Sequence, residues 1–117
     1  MSKFELKWTP TAQGTYNDLR SAAEARSSAK QNKKSKKSSK AEGLFKQVVK
    51  TIKLLAENPR HPGLSTHEFD SIENPFDAKQ KVFEAYAQNR TPGAYRVFWC
   101  YGPDAKQITI IAITPHP

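Results

Sequence analysis

The chain has 117 residues, with 19 basic and 11 acidic side chains, a formal charge of +8 and 37% hydrophobic residues. That length suits one domain with one core, and the single cysteine, Cys100, excludes an internal disulfide. No stretch approaches the roughly 18 apolar residues of a membrane span, and the opening MSKFELKW lacks an apolar run of signal-peptide length, so a soluble, cytoplasmic protein is expected.

Lys3–Trp8 alternates Phe4, Leu6 and Trp8 with polar residues, the pattern of an edge strand. Thr9-Pro10-Thr11 starts a helix, because proline is tolerated in the first turn, and Ala12, Tyr16, Leu19 and Ala23 follow at helical spacing. The apolar stripe then fades into RSSAKQNKKSKKSSK, residues 26–40, either a mobile connection or an exposed helical extension. A second helix is expected from about Glu42 to Glu57, with Leu44, Phe45, Val48, Val49, Ile52, Leu55 and Ala56 on one face. Lys46, Lys50 and Lys53 fall on the other, and the two helices form an antiparallel hairpin.

Beyond Asn58-Pro59 the period changes. Leu64–Phe69 and Val82–Gln88 read as strands separated by a breaker-rich loop, and Thr91-Pro92-Gly93 connects to a third run, Tyr95–Tyr101. That run is apolar except for Arg96, as in a central strand covered on both faces. After Gly102-Pro103-Asp104 the last strand is Ile108–Ile113. The expected architecture is α+β in the order β-α-α-β-β-β-β, one antiparallel sheet with a helical hairpin on one face.

Arg26, Lys30, Lys33, Lys34, Lys36, Lys37 and Lys40 lie in residues 26–40, which hold no acid; elsewhere basic and acidic residues nearly balance. Such a run attracts polyanions without sequence preference, or serves only as a solvated linker. Metal-ligand spacings, glycine-rich phosphate loops and GxSxG or HExxH motifs are absent from the sequence, so neither metal nor cofactor is expected. What remains is a set of cations and acid–base groups near strand ends. Arg90 and Arg96 flank the hairpin turn, and two guanidinium forks on adjacent antiparallel strands can converge on one phosphate. His116 follows the last strand between two prolines, which stiffen the backbone around an imidazole suited to proton transfer; on the residues alone a frayed terminus is the simpler reading. His67 and Glu68 are strand neighbours, so only one can face a given site. Either could act as a base, and Tyr86 could stack on a nucleobase or fill the core.

The strand, helical hairpin and four strands, with AYRVFWCYG and the closing ITIIAITPH, resemble the RelE/ParE toxins of type II toxin–antitoxin modules. The resemblance covers nearly all the chain, with residues 26–41 as a basic insertion between the helices. It implies a fold shared with microbial ribonucleases and metal-independent cleavage of mRNA, at the ribosome in many members. Carried over by position, Arg90 and Arg96 stabilise charge on the phosphate, His116 acts as acid and Glu68 lies close to the acidic base of some members, with His67 as the other candidate base. Lys33, Lys34, Lys36, Lys37, Lys46, Lys50 and Lys53 then hold RNA, and the protein partner is an antitoxin. The ParE branch poisons gyrase instead, so a non-catalytic module binding nucleic acid or protein is the alternative.

Overall fold

The computed structural model describes residues 3–33, 40–88 and 93–115, with the backbone alone for 26–33. Its elements are β1 (Glu5–Trp8), α1 (Pro10–Lys33), α2 (Lys40–Glu57), a short 3-10 turn (Pro62–Leu64), β2 (His67–Glu68), β3 (Phe83–Tyr86), β4 (Tyr95–Tyr101) and β5 (Gln107–Pro115). The sheet order is β1-β5-β4-β3-β2. Strands β2 to β5 form an antiparallel meander, and the helical hairpin covers one face, as the sequence led us to expect. One pairing differs. β1 joins β5 in parallel, Leu6 opposite Ile108, so the sheet is mixed. Alternation specifies which face of a strand is buried but not which neighbour it takes or in which direction.

Thr9 fixes the start of α1. Its Oγ1 accepts from the Ala12 N–H at 3.1 Å and donates to the Ile111 carbonyl at 2.7 Å, so one hydroxyl caps the helix and ties it to β5. Among the described side chains of α1, Ala12 and Ala23 are buried, and both are small. The helix continues through the first part of the basic run, to Lys33. Ala, Lys, Gln and Arg are good helix formers even where no apolar face exists. On α2, Val48, Ile52 and Leu55 enter the core while Lys46, Lys50 and Lys53 stay exposed.

The core between helices and sheet gathers Val97 and Trp99 from β4 and Ile108, Ile110 and Ile113 from β5. Strict alternation would not bring both Ile110 and Ile113 to one face. A bulge solves this: Phe98 lies opposite Ala112 and Trp99 opposite Ile110, which leaves Ile111 as the extra residue. The β4–β5 connection turns at Gly102, whose φ of 108° favours a residue without Cβ.

The other face of β4 is covered as well. Phe69 packs against Phe98 with ring centroids 4.7 Å apart and the planes tilted by 51°. The following loop is organised by buried Asn74, whose Oδ1 accepts from the Phe76 and Asp77 N–H groups while Nδ2 donates to the Lys81 carbonyl. The expected strand Leu64–Phe69 shrinks to His67–Glu68. Leu64 ends a 3-10 turn and Ser65 sits in the left-handed region at φ 49°, which interrupts any extended run.

Candidate functional site

Three ionisable side chains meet on the sheet face opposite the helices. Register dictates their meeting. Glu84 on β3 lies opposite His67 on β2 and Phe98 on β4, while Tyr86 lies opposite Arg96. Residues two apart on a strand share a face, so Glu84 and Tyr86 fall in line with Arg96 and Phe98. Arg96 Nη1 forms an ion pair with Glu84 Oε2, and His67 Nε2 is 2.5 Å from Glu84 Oε1. Both carboxylate oxygens therefore have partners.

Burial makes this an unusual arrangement. Glu84 is 1% exposed and Arg96 6% exposed, whereas the His67 side chain is 46% exposed. An isolated charge at such a depth would cost several kcal/mol. Here each charge neutralises the other, and aromatic rings supply further contact: the Arg96 guanidinium carbon lies 4.9 Å from the Phe98 ring centroid and 5.6 Å from that of Phe69. The His67 and Tyr86 ring centroids are 5.6 Å apart. The result is a locked carboxylate whose outer oxygen holds a half-exposed imidazole.

The structure thus brings together three of the residues singled out in the sequence, Arg96, His67 and Tyr86. It adds Glu84, which the sequence reading missed. Arg96 does not present its head at the surface; Nη1 is engaged by Glu84, and the buried Nε has no hydrogen-bond partner among the described residues. Glu68 pairs with Phe83 on the other side of the alternation, and Lys81 Nζ lies 2.6 Å from its Oε1. That carboxylate also raises the Lys81 ammonium above its ordinary range by hydrogen bonding and charge. Lys46, Lys50 and Lys53 line the solvent side of α2, so the helical layer and the sheet separate them from His67. Arg90, His116, Lys34, Lys36 and Lys37 lie outside the described residues, as does the side chain of Lys33. Thr114, two positions before His116, is the cross-strand partner of Arg96.

Next to the cluster, a cleft of about 530 Å³ opens under the Phe69–Val82 loop. Glu68, Asp70 and Glu73 line it against Lys79 and Lys81. An acidic majority repels a polyanion, so this cleft is a poor seat for nucleic acid. Among the described residues, no group of three or more His, Cys, Asp or Glu side chains is placed to hold a metal ion.

Cys100 shares the cluster's sheet face and is fully buried. Burial pushes its thiol from 9.0 up to about 11. The protonated form is favoured in the folded chain, so the associated stability is full below about pH 9 and is lost as pH rises toward 11. Thiolate is the reactive species. Native protein at pH 8 is therefore expected to resist iodoacetamide, with alkylation followed by mass spectrometry reaching completion only in denaturant. Rapid labelling of the folded chain would contradict this burial.

No protein-family model matches the sequence, and no curated protein matches it. Solved structures do. The RelE–RelB complex from the archaeon Pyrococcus horikoshii OT3 is similar with a TM-score of 0.55 and 14% identity, over 97% of this chain and 94% of that one. A YoeB dimer from Staphylococcus aureus gives 0.60 at 11% identity over 99% and 100% of the two chains. A YoeB/ParE toxin from Agrobacterium tumefaciens gives 0.59 at 9% identity over 97% and 99%. At such low identity the likeness is one of architecture, and it extends over nearly the full length of each chain. The α+β fold of this protein, with its N-terminal helical hairpin and five-stranded sheet, is the fold of the RelE/ParE-type toxins.

Proposed function

We propose that this chain is a toxin of the RelE/ParE kind that cleaves RNA without a metal and is held in check by a partner protein. The carrying observation is the His67–Glu84–Arg96 cluster on the face of the sheet away from the helices. A domain that needed only stability would gain as much from apolar residues there. In this reading Arg90, at the hairpin mouth, engages the scissile phosphate. His116, two positions past the partner of Arg96, supplies a proton to the departing oxygen. The lysines of 26–40 and of the α2 solvent face hold more distant parts of the RNA or ribosome through charge. The antitoxin reading is supported by the complex in which the Pyrococcus RelE was solved. Translating ribosomes would place the activity in the cytoplasm; no described helix is long and apolar enough to cross a membrane.

One observation favours the second reading, a ParE-like binding module. The Arg96 charge is already neutralised by Glu84, which leaves Arg90 to carry phosphate recognition. Incubating the pure protein with mRNA, with and without ribosomes, and mapping the ends separates the two. The nuclease reading expects discrete cuts bearing 2′,3′-cyclic phosphate and 5′-hydroxyl ends. Intact RNA in both incubations would leave only the binding module.

Deleting residues 27–40 should weaken RNA association and flatten its salt dependence while the thermal melt stays cooperative. Each phosphate that is no longer neutralised reduces the salt slope by about one unit. An unchanged slope would return the segment to a plain linker.

A further inference from the structure

We infer that Glu84 is a positioning residue that fixes His67 as the proton-accepting group of the site. The inference rests on the nuclease reading and assigns within it the base that the sequence left open between two neighbours.

An ionised carboxylate only accepts hydrogen bonds, so the 2.5 Å contact between Glu84 Oε1 and His67 Nε2 requires the proton on Nε2. The neutral ring then carries its lone pair on Nδ1. Which nitrogen is free follows from the bond the other one makes. Glu84 cannot readily swing away, because Arg96 holds its second oxygen and the Arg96 guanidinium lies over the rings of Phe69 and Phe98. Tyr86 flanks the imidazole on the β3 side. The charged groups facing His67 are thus Glu84 from β3 and, through it, Arg96 from β4. On its own strand, Glu68 points to the opposite face and is paired with Lys81. Glu68 is therefore the poorer base on two counts, orientation and prior engagement. His67 also stands on a two-residue strand at the end of the sheet order, with nearly half its side-chain surface open to a substrate.

In the cleavage step, His67 Nδ1 takes the proton of the ribose 2′-hydroxyl, and the oxygen's electron pair forms a bond to phosphorus. The bond from phosphorus to the 5′ oxygen breaks, its electron pair leaves with that oxygen, and a proton from the acid group completes a 5′-hydroxyl. A 2′,3′-cyclic phosphate remains. The imidazolium formed on the way faces the Glu84 carboxylate, so the charge that develops meets a preformed opposite charge. Arg96, on this account, holds Glu84 in place.

Three versions of the full chain test this: wild type, His67→Ala and Glu84→Gln, each assayed where its melting curve shows it folded. Wild-type protein should show a slowly exchanging, downfield Nε2–H proton in NMR, assigned by its disappearance in His67→Ala. His67→Ala leaves the buried ion pair intact, so folding is retained, and it should lower kcat about 10²–10⁴-fold. Glu84→Gln should lower kcat by about 10²-fold or more with KM unchanged, as when the carboxylate behind a catalytic histidine is neutralised. Absence of the Nε2–H signal, wild-type cleavage by His67→Ala, or wild-type kcat in folded Glu84→Gln overturns the assignment while the nuclease stands. A wild type that shows the signal but cuts no RNA overturns the nuclease reading, and the proton-accepting role with it.

Discussion

Arg96→Ala is expected to lower the free energy of unfolding by about 3–5 kcal/mol, the cost of stranding one partner of a buried ion pair. Both side chains are nearly sealed from solvent, so neither can recover hydration in the folded state. With Arg96 gone, Glu84 keeps its contact to His67 alone, and the rings of Phe69 and Phe98 lose the guanidinium beside them. Replacing the pair together, Glu84→Leu with Arg96→Met, should behave oppositely, near neutral or more stable than the natural chain. Urea unfolding midpoints at pH 7 measure both. A loss below about 1 kcal/mol in Arg96→Ala would mean that water reaches the cluster and that the pair is effectively a surface one. The contrast separates two uses of the same residues: if the double variant is stable and inert toward RNA, the charges are kept for chemistry.

His116→Ala should slow RNA cleavage by about 10²–10⁴-fold, the usual contribution of a group that delivers a proton in the transition state. The expectation comes from register. Arg96 lies opposite Thr114, and His116 follows two positions later in the sequence. Folding should be untouched, because the β4–β5 pairing and the core isoleucines all lie upstream. Single-turnover cleavage of a short RNA gives the rate directly. An unaltered rate would remove the acid role from His116 and pass it to water or to another group at the hairpin.

Much of the fold was legible in the residues. Tyr95–Tyr101 is found at its expected bounds because seven residues rich in Val, Phe and Trp between two turn signals have few alternatives. The second helix was equally plain, since its apolar stripe runs unbroken from Leu44 to Ala56. The pieces that escaped share a physical cause: they depend on what comes to lie alongside. In FEAY, Glu84 reads as the solvent-facing member of an alternating strand. It is buried where Arg96 and His67 engage its carboxylate and Phe69 lies against Arg96 and Phe98, and a sequence pattern does not register such cross-strand neighbours. The continuation of α1 to Lys33 had propensity behind it but no periodicity. Of the site, Arg96 and His67 were named, but the carboxylate joining them, and the consequent turning of Arg96 into the sheet, follow from cross-strand register that sequence spacing does not supply.

The strand at the sheet's margin has a consequence for how this protein is made. Thr9 hydrogen-bonds Ile111, a residue 102 positions later, and among the described strands β1 has β5 as its one neighbour. A nascent chain therefore cannot seat its first strand until the last has emerged from the exit tunnel, and long-range closures of this kind come late in folding. The polar cluster is framed by strands from that same late-emerging half. The parallel seam that closes the sheet is thus among the last contacts this domain can make.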